Sequence, residues 1–182
     1  MYRTWLILGT ALLIGLTALA APPAPASATN AAHDLRRCRA AVHDPQLRRD
    51  IYAAGRWTIR CVPRIVEPGF AGAAGLTLAA RREIQLVSGA MDPRLVLAHE
   101  LGHAFSWDVM SARTRDRFAR RVGRSQFYGG STWATMPAEI WANNQARCAG
   151  YPNLVHTARL PCRVIRNFVR QAVHQRVHAA EL

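Results

Sequence analysis

The residues of this chain whose types and spacing can do chemistry are His99, Glu100 and His103, in the run His99-Glu100-Leu101-Gly102-His103. Two imidazoles four positions apart fall on one face of a helix, a turn from each other, so both can reach a single Zn²⁺ ion. Glu100, one step around the helix, can act as general base toward the attacking water. The chemistry this points to is metal-assisted hydrolysis, with a peptide bond as the leading substrate.

A catalytic zinc takes three protein ligands and keeps one position open. The chain offers Glu139, Asp108 and His156 for the third place. Glu139 falls in the first turn of an expected second helix, 36 residues beyond His103, and a helix crossing the first can present that carboxylate to the metal. Asp108 lies five residues after His103, where reaching back to the histidine face demands a sharp reversal of the chain. His156 sits in an irregular Pro/Asn segment that fixes no orientation. Ligand type and placement favour Glu139.

The element that must position the first two ligands is a helix over "MDPRLVLAHELGHAFSWD", with Asp92 as N-cap and Pro93 at the first helical position. Leu95, Val96, Ala98, Leu101, Ala104 and Phe105 make it apolar almost all round, so it belongs inside a domain. Burying His99, Glu100 and His103 there without partners is costly, and a metal supplies the partner.

Upstream, residues 33 to 54 read as a basic helical segment broken near Asp44-Pro45 and closed by Gly55. "RWTIRCV" alternates as a strand, and "LTLAARREIQLV" gives two short extended runs around a turn near Arg81-Arg82. The second run, Glu83 to Val87, directly precedes the helix, and chain order suggests it as the edge strand along which an extended substrate can pair. Downstream come an amphipathic helix over "SARTRDRFARRVG", a Gly-rich connection, a helix from Pro137 ending near Gly150, and a tail helix from Pro161 to about His178. Strands followed by helices define an α+β fold: a small mixed sheet packed on the active-site helix, then a mainly helical C-terminal half.

Arg3, the apolar run Trp5 to Ala21 and Ala26-Ser27-Ala28 form a signal peptide over residues 1–28. There is no twin-arginine pair in its n-region and no cysteine at the cleavage point to take a lipid. Residues 29–182 then form a single secreted domain, expected to be a monomer. Cys38, Cys61, Cys148 and Cys162 all fall in it, and an even count in an exported chain reads as two disulfides. Pairing Cys38 with Cys61 and Cys148 with Cys162 is favoured, because each pair closes a short segment outside the metal helix.

Every basic side chain is Arg: 24 against 11 acids, a net charge of +13 that becomes +12 once Arg3 is removed. The arginines are scattered without interleaved aromatics, which argues against a specific nucleic-acid partner and for a solvated basic surface. An anionic cell-envelope surface is a further partner of matching charge.

"LAHELGHAFSW" and "MPAEIWANNQARCAGY" together resemble the gluzincin type of zinc metallopeptidase, in particular small secreted actinobacterial-style proteins in which H-E-L-G-H is followed by a P-A-E segment. The resemblance covers roughly residues 75 to 150. It implies a zincin-like fold, one zinc ion held by His99, His103 and Glu139, and Glu100 as general base and proton shuttle. Larger gluzincins carry an acidic residue four positions after the third ligand to orient a metal histidine. Asn143 stands there in this chain, an acceptor without charge.

Two functions of different class follow. One is a secreted zinc metallopeptidase acting on a peptide or protein, with hydrolysis of a non-peptide amide such as a cell-wall cross-link as a variant. The other is an inactive zincin-fold protein that holds an anionic envelope polymer. Tyr128, in the Gly-rich connection, is read as covering the core in preference to donating to an oxyanion.

Overall fold

The computed structural model describes residues 28–51, 56–89, 91–154 and 156–180. Of the expected signal peptide only Ala28 falls among them, as the first residue of a helix; the rest, and the end expected at Gly55, lie outside the described residues.

The basic segment folds as α1 (Ala28–Val42) and α2 (Pro45–Ile51). The break falls at Asp44, whose Oδ1 accepts from the Leu47 N–H at 3.2 Å, with Pro45 in the first helical position. Three strands follow: β1 (Thr58–Val62), β2 (Gly75–Leu78) and β3 (Glu83–Val87). A 3₁₀ turn over Ala79–Arg81 and a left-handed Arg82, φ 50°, join β2 to β3.

The sheet is mixed, in the order β1-β3-β2: β1 runs parallel to β3 from Thr58 opposite Glu83, and β2 runs antiparallel to it from Gly75 opposite Leu86. This corrects one expectation. Glu83–Val87 is the central strand, with both edges paired, so it cannot add a substrate strand. Gly75–Leu78 is the edge beside the active helix. The reason lies in Gln85, which gives "EIQLV" the alternation of a half-exposed strand although Ile84, Gln85 and Leu86 are all buried. Its side-chain amide donates to Glu83 Oε1 at 2.8 Å, which lets a polar residue sit there.

Helix α3 (Pro93–Asp108) begins as expected, with Asp92 Oδ1 accepting from the Arg94 N–H at 3.0 Å and Pro93 behind the cap. α4 (Ala112–Arg121), α5 (Pro137–Cys148) and α6 (Cys162–Ala180) complete the helical half. α3 packs against the sheet on one side and, most extensively, against α5 on the other. The C-terminal helices meet around a cluster of aromatic rings. Phe118 of α4 lies edge-on to Trp141 of α5 and Phe168 of α6, at centroid distances of 5.2 and 5.3 Å, and Phe105 of α3 stacks on Trp141 at 5.8 Å.

Both disulfides pair as expected, Cys38 with Cys61 and Cys148 with Cys162. They tie α1 to β1 and the end of α5 to the start of α6. Two formed disulfides fit an oxidising compartment. Among the described residues no helix is long and apolar enough to cross a membrane.

Candidate metal centre

The crossing of α3 and α5 builds the site. Gly102 sits at the contact, and a Cβ there would lie 2.7 Å from Ala142 Cα, so only glycine lets the two backbones approach this closely. Trp141, fully buried, donates from Nε1 to the Gly102 carbonyl at 3.1 Å and pins the crossing. Two residues before Trp141, in the first turn of α5, Glu139 then faces the histidine side of α3. Its carboxylate also lies at the positive end of its own helix.

Three donor residues converge. His99 Nε2 and His103 Nε2 are 3.0 Å apart, and Glu139 offers a different oxygen to each, Oε2 at 3.0 Å from His99 and Oε1 at 3.2 Å from His103. A tetrahedral ion with bonds near 2.0 Å separates its donors by about 3.3 Å, so the spacing fits such an ion to within a few tenths of an ångström. Two imidazoles and one carboxylate are a donor set suited to zinc. Among the described residues, His99, His103 and Glu139 are the group that could hold a metal ion.

The electrostatics of the cluster come from mutual contact. Burial works to raise the Glu139 pKa, but hydrogen bonds and charge from His103 and His99 outweigh it and hold the carboxyl at about 2. For His103, burial works downward, and the hydrogen bond and charge of Glu139, with the charge of Glu100, leave its pKa raised.

Asn143, one turn beyond Glu139, reaches a histidine of the cluster. Its Oδ1 lies 3.1 Å from His99 Nδ1. An amide oxygen only accepts, so Nδ1–H donates to it and the His99 lone pair is left on Nε2, facing the centre.

Glu100 is gripped by a residue that sequence reasoning missed. Thr77 Oγ1 lies 2.7 Å from Glu100 Oε2 and 3.0 Å from the Glu100 carbonyl oxygen. One hydroxyl hydrogen serves one of these, and the shorter, charged acceptor takes it. Gly75 closes the other flank, since a Cβ there would stand 2.8 Å from Glu100 Oε1 and 2.5 Å from Val96 Cγ1. Edge strand β2 therefore holds the carboxylate from two sides.

The remaining candidates are placed elsewhere. Asp108 is turned away from the cluster: its Oδ2 accepts from Trp57 Nε1 at 2.7 Å and pairs with the Arg82 guanidinium, fastening the end of α3 to the sheet. His156 is exposed and outside the metal group. Tyr128 packs edge-on against the core ring of Phe127 at 4.9 Å but does more than cover it. It is half-exposed and lines the cleft over the site, while its neighbour Phe127 is the buried ring.

That cleft has a volume of about 450 Å³ and is bordered by β2, the histidine face of α3 and the start of α5. Trp107, four positions after His103 on the same face, stands at its rim. Comparison with known proteins gives no match, whether to a family model, a curated sequence or a solved structure.

Proposed function

We propose that this protein is a zinc-dependent peptidase of zincin-like fold, holding one zinc ion through His99, His103 and Glu139 and using Glu100 as its general base. The observation that carries this reading is the convergence of His99, His103 and Glu139, with pairwise contacts of 3.0 to 3.2 Å, and a separate carboxylate, Glu100, on the same cleft. Zinc, when bound, supplies Lewis acidity toward the scissile carbonyl. The protein's own groups do the rest. Glu139 brings one negative charge to the metal, Asn143 keeps His99 in the tautomer that offers Nε2, and Thr77 orients Glu100. Glu100 takes the proton of the attacking water and delivers it to the departing amine. The outer edge of β2 borders the cleft and is the strand along which an extended backbone can pair.

The resemblance of the HELGH and PAE segments to gluzincins supports the same assignment, and the two disulfides support export. The alternative, a binding protein for anionic polymers, would use the arginine-rich surface of α4 and α6, and among the described residues no arginine lines this cleft.

Metal analysis of the purified protein, paired with Glu100→Gln, tests the proposal. One zinc per chain is expected, kept in the variant while hydrolysis of a casein or peptide-library substrate is lost. Hydrolysis that survives in Glu100→Gln would sink the mechanism.

A further inference from the structure

The walls of the cleft carry more information than the metal cluster alone. A second cavity of about 390 Å³ adjoins the first and shares His99, Glu100, Glu139 and Trp133 with it. It runs on toward Met91 and Leu154, at the start of α3, whereas the first runs toward Trp107 and Tyr128, near its end. The cleft thus passes the metal residues on both sides. Between Pro93 and Trp107 α3 rises about 21 Å at 1.5 Å per residue, room for about six residues of extended chain at 3.3 Å each.

Its lining is uncharged apart from the site itself. The chain has 24 arginines, yet among the described residues the only ionisable groups lining either cavity, besides Tyr128, are His99, Glu100, His103 and Glu139. Among the described lining residues no guanidinium stands at either end for a terminal carboxylate, and no carboxylate beyond Glu100 and Glu139 for a terminal amine. What the walls offer is aromatic surface. Trp107 and Trp133 are 47 % and 52 % exposed, far more than large apolar side chains in a core. Each has a ring beside it: Tyr128 lies 6.3 Å from Trp107, on the His103 side, and Phe70 lies 6.1 Å from Trp133, where the two cavities join.

Exposed aromatic pairs beside a catalytic centre, one toward the end of α3 and one at the junction, with Met91 and Leu154 beyond it, are surfaces that gain by being covered. We infer that the substrate is an internal, extended stretch of polypeptide, bound without either terminus, whose side chains on both sides of the scissile bond are apolar or aromatic. The inference rests on the peptidase reading for the word substrate. Binding can nevertheless be measured without turnover.

The test uses zinc-loaded Glu100→Gln protein and octapeptides blocked as N-acetyl and C-amide, followed by tryptophan fluorescence and calorimetry. A peptide with Phe and Leu around its centre should bind about ten-fold more tightly than an all-alanine one, the scale of one or two aromatic contacts. A Glu-rich peptide should bind no better than alanine, and freeing either terminus should bring no gain. The double variant Trp107→Ala/Trp133→Ala, altered only at exposed rings, should erase the preference while zinc content stays the same. Tighter binding of the acidic peptide, a requirement for a free terminus, or a preference that survives the double variant would each overturn the inference. The two readings fail separately. Wild-type protein that binds the blocked aromatic peptide but never cuts it would refute the peptidase and leave the cleft assignment standing, whereas cleavage confined to chain ends would do the reverse.

Discussion

Thr77 and Asn143 each act on a working group of the site through one hydrogen bond, and Thr77 has the more exposed role in turnover. Its hydroxyl faces Glu100 Oε2 at 2.7 Å, so replacing it by Val keeps the shape and leaves a carboxylate without its donor. A hydrogen bond to a charged group is worth roughly 1.5–3 kcal/mol, and its loss should lower kcat by about ten-fold or more. Zinc content should hold, since the Thr77 hydroxyl bonds Glu100 and not His99, His103 or Glu139. Thr77→Ser should recover most of the rate; equal kcat in Thr77→Val and wild type would show that Glu100 needs no such support. At this scale the legible residues were those tied by local helical geometry. His99 and His103 are one turn apart, as are Glu139 and Asn143, and each spacing could be read directly. Thr77 is 23 residues from Glu100 and meets it only because β2 folds beside α3. No local pattern announces that contact.

Between elements, the closest approach is where α3 crosses α5. Alanine in place of Gly102 would raise helix propensity by about 1 kcal/mol. The added methyl, however, would face backbone, with Ala142 Cα at 2.7 Å and the Ala142 carbonyl oxygen at 3.2 Å. Backbone cannot swing aside as a side chain can. Overpacking of this kind costs about 1–3 kcal/mol, occasionally more, so Gly102→Ala should be net destabilising in urea unfolding. It should also weaken zinc, because Glu139 and Asn143 ride on α5. Unchanged stability together with unchanged zinc affinity would mean that the crossing is not tight. Helix starts were legible here because Asp92-Pro93 and Pro137 mark them chemically. The lateral order of the strands was not. Two short apolar runs, β2 and β3, look alike along the chain; β3 is central because both β1 and β2 pair with it, and the Gln85–Glu83 hydrogen bond lets its polar residue be buried there.

Over the whole molecule, charge and covalent ties are kept apart from the chemistry. α4 and α6 together hold nine arginines against Asp116 alone, whereas none lines the cleft. The Cys148–Cys162 bridge likewise belongs to the far side of the molecule, and its sequence separation is 14. Nine residues of helix separate Cys148 from Glu139, about 14 Å along the axis of α5. Closing a loop of that size stabilises by about 3 kcal/mol, so Cys148→Ser/Cys162→Ser should unfold at correspondingly lower denaturant. The path by which this could reach the metal is the aromatic cluster, since Phe168 of α6 packs edge-on to both Phe118 and Trp141. Trp141 has two further anchors that do not involve α6, the hydrogen bond to the Gly102 carbonyl and the stack on Phe105. Those anchors keep the α3–α5 crossing, and with it His99, His103 and Glu139, in place when α6 is loosened. Zinc affinity of the serine variant, measured by chelator competition well below its unfolding midpoint, should therefore stay within about two-fold of wild type, the additivity expected of distant sites. A loss of zinc from a variant still folded by circular dichroism would show that α6 supports the metal through Phe168, and that the site is less self-contained than its two helices make it.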